Sequence, residues 1–275
     1  MIEGASKIVI TGGGQGIGRA LARHFAQKGH KIFILDVNKE GVQYTAEKHL
    51  KEHSDRVAWG HCDLTNSDAV RKTIKDAADY LGGRIDFLIN NAGISHPYWP
   101  DDKTMEDPST LDVWRKYVDV NLTGNFVLSQ AVIPYMKVEK SEDKKKLPGS
   151  ETGSAGPCIL NISSFRGLIS DPNQEGYAAT KAGLIGLTTA MAVSLQHYGI
   201  RVNAISPGRI KATHENKEGD EKGEEWDIGE DDVKPHPSNR AGMPEDITEA
   251  AEYMLGAGFT TGQNLVVDGG VTVVK

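Results

Sequence analysis

Short apolar runs alternate with segments of helical period along almost the whole chain, and that alternation limits the fold more than any other feature. The runs lie at 8–10, 32–35, 57–59, 85–89, 158–162, 202–205 and 265–267. Helical patterning fills 16–28, 40–53, 67–81, 110–137, 177–198 and 244–255. Strands separated by helices pair in parallel, because each crossover helix must return across a face of the sheet. The continuous apolar character of the runs suits strands covered on both faces. One α/β domain over 1–275 is expected: a doubly wound, Rossmann-like parallel sheet with helices on both faces. A length of 275 residues suits a single domain of this class, and no internal repeat interrupts it.

Two segments break the pattern. Residues 137–156 are rich in Lys, Glu, Ser and Gly and read as a solvated surface insertion, with a docking patch as the weaker alternative. Residues 209–240 follow Pro207-Gly208 and are strongly acidic over 214–234. They read as a self-repelling loop or as a lid over a substrate, and the two are compatible.

A net charge of −7 disfavours nucleic acid and anionic membranes as partners. Cys62 and Cys158 sit in or beside apolar runs without metal-ligand spacing, so they read as reduced core residues and no metal site is expected. No apolar run approaches the ~18 residues that would span a bilayer. The first strand begins near Lys7, leaving little room for a leader, so a cytoplasmic protein is expected.

Thr11-Gly12-Gly13-Gly14-Gln15-Gly16-Ile17-Gly18 joins the first strand to the first helix. Glycine there admits positive φ and close backbone approach, so a pyrophosphate can rest on exposed N–H groups. Asp36 ends the second strand, where a carboxylate can accept both ribose hydroxyls and repels a 2′-phosphate. Neither Gln15 nor Val37 is basic, so NAD is favoured over NADP. Asp63, before Leu64, could meet an adenine edge or cap the next helix. Asn90-Asn91-Ala92-Gly93 follows the fourth strand, where small residues allow backbone to approach a nicotinamide ribose.

Tyr177 and Lys181 are four residues apart on a helix and share a face, with Ser164 thirteen residues upstream of Tyr177. A phenol is a poor base at neutral pH, and a neighbouring ammonium would lower its pKa. A serine hydroxyl could hold a substrate oxygen beside it.

Together these residues resemble the short-chain dehydrogenase/reductase family. The resemblance rests on Thr11-Gly12-x-x-x-Gly16-x-Gly18, Asp63, Asn90-Asn91-Ala92-Gly93, Asn121, Ser164, Tyr177-x-x-x-Lys181, Asn203 and Pro207-Gly208, in order, and it extends through residues 267–270. It implies seven parallel strands in the order 3-2-1-4-5-6-7. It implies Tyr177 as general acid/base, and Lys181 as the residue that lowers its pKa and binds the nicotinamide ribose. Ser164 would polarise the substrate oxygen, and Asn121 would support a water-linked relay. The cofactor would meet Gly12, Gln15, Gly16, Ile17, Gly18, Asp36, Asp63, Leu64, Asn91, Ala92, Gly93, Tyr177, Lys181, Pro207, Gly208 and Ile210. A homotetramer or homodimer is implied, pairing helices 110–137 and 177–198 across a two-fold axis. One departure is Ala212, where the family often has a threonine that bonds the nicotinamide amide.

The resulting expectation is an NAD-dependent oxidoreductase acting on a secondary alcohol or ketone. Ser95, Arg166, Leu168 and Asn173 are the candidate substrate residues, with His96, Tyr98, Trp99, Ile169 and Gln174 nearby. Arg166 could hold a carboxylate or pair with Asp171 or Glu175, and the local pair is preferred. The acidic segment argues against bulky anions, so a neutral polyol, sugar or hydroxy-ketone is preferred. The alternatives are an NADP-dependent carbonyl reductase of the same fold and a non-catalytic NAD-sensing protein.

Overall fold

The computed structural model describes residues 5–138, 155–223 and 228–274. Seven strands are present: β1 (Lys7–Thr11), β2 (Lys31–Asp36), β3 (Val57–His61), β4 (Phe87–Asn90), β5 (Cys158–Ile162), β6 (Arg201–Pro207) and β7 (Asn264–Val267). The helices are α1 (Gly16–Gln27), α2 (Lys39–Tyr44), α3 (Ser67–Tyr80), α4 (Thr110–Tyr117), α5 (Asn125–Met136), α6 (Glu175–Ser194), α7 (Lys217–Lys222), α8 (Glu230–Val233), α9 (Pro244–Gly256) and α10 (Val271–Val274). All neighbouring strands pair in parallel, in the order β3-β2-β1-β4-β5-β6-β7, as expected.

Side-chain alternation along each strand divides the interior into two cores. Ile8, Ile10, Ile32, Ile34 and Leu160 face one side, with Leu21 and Phe25 of α1 and Ile247 and Leu255 of α9. Val9, Phe33, Leu35 and Ile159 face the other, with Ile74 of α3, Leu128 and Val132 of α5, and Met191 of α6. Each fully buried Ile or Leu contributes about 1.5–3 kcal/mol. Cys62 and Cys158 are buried and free, and burial pushes both thiols up.

Two expected helices are not regular. The stretch 110–137 is α4 and α5 joined by a π turn, Val118–Gly124. Its cause is tertiary: Asn121 Oδ1 accepts from the Ile94 amide at 2.7 Å, and its Nδ2 faces the Ile94 carbonyl at 3.3 Å. The stretch 40–53 is α2 followed by a π turn, Thr45–His49, and a 3-10 turn, Lys51–His53. The expected insertion 137–156 lies outside the described residues except at its ends. The expected lid 209–240 carries α7 and α8, with 224–227 outside the described residues.

Candidate active site

β1 lies between β2 and β4, so the chain direction switches there and a crevice opens beyond the carboxyl ends of the strands. Two loops line it and hold each other. Thr11 Oγ1 accepts from the amides of Asn91 (3.0 Å) and Ala92 (2.8 Å). Asn91 Nδ2 donates back to the carbonyls of Thr11 (3.0 Å) and Gly12 (3.3 Å).

The glycine turn is built for close approach. Gly12 and Gly16 have φ of 69° and 57°. A Cβ on Gly18 would stand 2.0 Å from the Gly12 carbonyl oxygen, whereas a Cβ on Gly16 would meet nothing nearer than Ala212 Cβ at 3.9 Å. The Cα side of Gly16 is therefore open, although its amide is taken by Glu215, at the start of a helix whose N-cap residue, Gln15, supplies no side-chain cap. Such a terminus suits a pyrophosphate, so the residues present fit a dinucleotide. Asp36 sits beside the turn: Oδ2 accepts from the Gly14 amide at 2.9 Å and Oδ1 from the Asn38 amide at 2.9 Å. Asp63 holds Thr65, through its amide (2.9 Å) and hydroxyl (2.8 Å), while Asn66 caps α3. Helix capping by Asp63 is thereby corrected to Asn66.

The other expected cofactor residues fall into two groups. Gly93 lies near Asn121 and Lys181: a Cβ there would stand 3.0 Å from Asn121 Oδ1 and 3.7 Å from Lys181 Nζ. Gly208 lies against Asp268 and lines the cleft described below. Pro207 ends β6 and is buried. Leu64 is buried in the second core, and Ile17 and Ile210 pack against the first. Ile210 also bridges to Gly242 through its backbone.

Ser164, Tyr177 and Lys181 converge where β5 gives way to α6. Ser164 N-caps the 3-10 turn Phe165–Gly167, its hydroxyl accepting from the Arg166 amide at 3.1 Å. Ser163 is turned away and donates to the Lys181 carbonyl at 2.8 Å, which fits the choice of Ser164 from spacing. Lys181 Nζ is buried, donates to the Ile162 carbonyl at 3.0 Å and lies 5.6 Å from the centre of the Tyr177 ring. Burial lowers its pKa to about 8. Tyr177 departs from expectation: burial pushes the phenol above its ordinary value, against a hydrogen bond from Ser164 and the charge of Arg166, which pull it down. The expected lowering by Lys181 is not what sets the direction here; desolvation does.

A cleft of about 410 Å³ opens in front of these groups. Ser95, Pro97, Tyr98, Ser164, Phe165, Arg166, Gln174, Tyr177, Gly208 and Arg209 line it. Ser95 and Arg166 are thus where a substrate could meet them. Leu168 and Asn173 do not line it. Leu168 is half exposed beyond the 3-10 turn. Asn173 adopts a left-handed φ of 65°, with its carbonyl held by the Trp99 amide at 3.3 Å. Trp99 is buried, donates to Glu175 at 2.9 Å and does not line the cleft. The ring of His96 turns to the Tyr98 carbonyl at 3.2 Å.

Among the described residues, none of the acidic segment 214–234 lines this cleft. Its first part is anchored to the cofactor side. The Gly16 amide donates to the Glu215 carbonyl at 2.7 Å. The Glu215 carboxylate pairs with Arg23 at 2.6 Å and Arg19 at 3.4 Å. Asp220 pairs with Arg19 at 2.5 Å and with His49 at 3.1 Å. Arg19 is 1% exposed.

Sequence reasoning missed a buried polar chain beneath the site. Asn90 Nδ2 donates to Ser129 (3.0 Å) and Asn161 (2.9 Å), and Asn161 Nδ2 donates to Thr188 (2.9 Å). Ser129 donates to the Asn125 carbonyl (2.7 Å), and Asn125 donates to the Asn121 carbonyl (2.6 Å). Its signal was an asparagine inside each of two apolar runs, Asn90 and Asn161, which the sheet sets side by side.

Comparison with known proteins agrees with this geometry. A family model described as Enoyl-(Acyl carrier protein) reductase matches residues 12–272. An uncharacterized oxidoreductase of Thermotoga maritima is 36% identical over 99% of this chain and 98% of its own. A 3-oxoacyl-(acyl-carrier-protein) reductase of Chlamydia trachomatis is 32% identical over 96% of each. The solved structure of a 7 alpha-hydroxysteroid dehydrogenase, complexed with NADH and 7-oxo glycochenodeoxycholic acid, superposes with a TM-score of 0.77. That structure is 28% identical, and the match covers 98% of this chain and 94% of that one. With a family-wide match, the sheet order and a nicotinamide-ready crevice in agreement, the chain belongs to the short-chain dehydrogenase/reductase family of oxidoreductases.

Proposed function

We propose that the protein moves a hydride between NAD(H) and a secondary alcohol or its ketone, with Tyr177 as general acid/base. The observation that carries this reading is that Ser164 and Tyr177 line the cleft together, with the buried Lys181 Nζ 5.6 Å from the Tyr177 ring centre. When bound, NAD supplies the hydride-accepting ring and, oxidised, a positive charge that opposes the burial effect on Tyr177. Ser164 holds the substrate oxygen and Tyr177 exchanges its proton. Asn121, fixed to Ile94, keeps the Gly93 backbone beside Lys181 and supports a water-linked path for that proton. A positioned proton donor of this kind is worth about 10²–10⁴-fold in rate.

Asp36 supports NAD over NADP, because its carboxylate ends β2 beside the glycine turn with no basic side chain at Gln15 or Val37. Exposed apolar residues on α5 and α6, Phe126 and Val193, and near the C-terminus, Val273 and Val274, support assembly into a homodimer or homotetramer.

The test is absorbance at the reduced-nicotinamide band, with NAD and NADP run side by side against secondary alcohols and ketones. Turnover with NAD that Tyr177→Phe abolishes, while NADH binding survives, is the expected result. Normal turnover by Tyr177→Phe sinks the mechanism, and NADH binding without turnover of any substrate supports a sensor instead.

A further inference from the structure

Two residues that line the cleft each keep one buried donor without an acceptor. Arg166 is 7% exposed and its guanidinium lies over the Phe165 ring, 4.6 Å from the centroid. One of its nitrogens, Nη2, is taken by Asp171. The other, Nη1, is buried and has no hydrogen-bond partner. Gln174 is 1% exposed, and its Nε2 is likewise buried and unpartnered, while its Oε1 faces the Asp171 amide at 3.4 Å. Arg166 and Gln174 line the cleft with Ser164 and Tyr177, and Arg209 adds a second cation to the same lining. A buried donor left unpaired costs about 1–3 kcal/mol. Both groups donate, so what completes them must bring acceptors, and beside a guanidinium a planar anion is favoured.

Among the described residues, the first acids of the acidic segment do not oppose an anion here. Glu215 and Asp220 are neutralised by Arg19 and Arg23 on the cofactor side, and neither lines the cleft. Arg166 also pulls down the Tyr177 pKa, so it lies within electrostatic reach of the phenol.

We propose that the substrate is a hydroxy acid or the matching oxo acid, whose carboxylate is held by Arg166 Nη1 and Gln174 Nε2 while its alcohol or ketone oxygen meets Ser164 and Tyr177. This rests on the hydride-transfer reading above and names its substrate class. The neutral substrate preferred from sequence is thereby replaced, since the charge argument behind it placed the acidic segment over the wrong side of the site.

The test compares 4-hydroxycyclohexanecarboxylate with its carboxamide, using the whole protein and NAD. A preference for the acid of about 100-fold in kcat/KM is expected, the worth of a hydrogen bond to a charged group. Arg166→Met should collapse the acid-to-amide ratio to about one, mostly through KM, with Arg166→Lys recovering part of it. Gln174→Met, which leaves the Arg166–Asp171 pair intact, should reduce the ratio less and serves if Arg166→Met does not fold. Equal use of acid and amide overturns the proposal, as does turnover confined to acyl thioesters or neutral alcohols; either leaves hydride transfer standing. If nothing turns over, hydride transfer itself fails, and cyclohexanecarboxylate binding to the protein–NADH complex decides the subsite by nicotinamide fluorescence. Binding lost in Gln174→Met and Arg166→Met supports it, and no binding to the unmodified protein overturns it.

Discussion

The Gly16 amide and the Glu215 carbonyl are joined by a 2.7 Å hydrogen bond, which ties the glycine turn to the segment that follows β6. Ion pairs of Glu215 and Asp220 with Arg19 and Arg23 reinforce that tie. Because Arg19 is buried, Arg19→Met leaves Glu215 and Asp220 with less compensation and should cost about 3 kcal/mol, read from urea unfolding.

The same cluster should make stability depend on pH. Burial and the nearby Arg19 lower the His49 pKa, and Asp220 is lowered by Arg19 against its own desolvation. Each binds a proton more readily when unfolded, so stability falls as pH falls. The His49 part is lost below its ordinary value of about 6.5 and the Asp220 part below about 3.9. Unfolding midpoints of the parent and of His49→Asn between pH 7 and pH 5 check the first part; the variant should have a shallower slope, the remainder coming from His30, which burial also lowers.

Lys181 should be costly to the fold. Its pKa of about 8 lies below its ordinary value, so burial of the ammonium costs stability in full below pH 8. The cost fades as pH rises toward about 10.4. Lys181→Met should therefore stabilise the protein by about 1–3 kcal/mol at neutral pH, less near pH 10, and remove activity. Melting curves at the two pH values, with a turnover assay, test both halves.

Gly16 and Gly18 should fail differently. Gly18→Ala drives a methyl group into the Gly12 carbonyl and should destabilise the fold by more than 3 kcal/mol, since backbone must move. Gly16→Ala has room for its methyl group but is held at positive φ, costing about 1–2 kcal/mol. The Gly16 variant should fold and lose NADH affinity, which thermal melting and nicotinamide fluorescence separate.

Asp36→Ser should exchange cofactors. Removal of a charged acceptor costs about 1.5–3 kcal/mol, or about 10–100-fold in kcat/KM with NAD. NADP should gain as the repulsion disappears, and steady-state rates with both cofactors measure the switch.

The strands, the glycine turn and the pairing of Tyr177 with Lys181 were legible because each depends on local periodicity or on residue type at fixed spacing, whereas the strand order came from the family resemblance. Arg166 pairs with Asp171, the preferred reading, yet keeps a second face free, which spacing could not reveal. Leu168 and Asn173 were misplaced because the direction of a turn depends on φ at a residue such as Asn173. The desolvation of Tyr177 was equally hidden, since it is set by the walls of the cleft and not by the neighbour one turn away.

The π turn at Val118–Gly124 carries a consequence for how this chain can change in length. It absorbs one residue more than an α turn, and each residue of a helix is about 100° of rotation. Inserting a further residue there would swing α5 about its own axis, whereas deleting one would close the turn to an α turn and displace Asn121. With the insertion, Asn125 and Ser129 would leave Asn121 and Asn90, and Leu128 and Val132 would leave the core. The spacing between Tyr117 and Asn125 is thus a fixed gauge, closed to insertion and deletion although only Asn121 within it faces the chemistry.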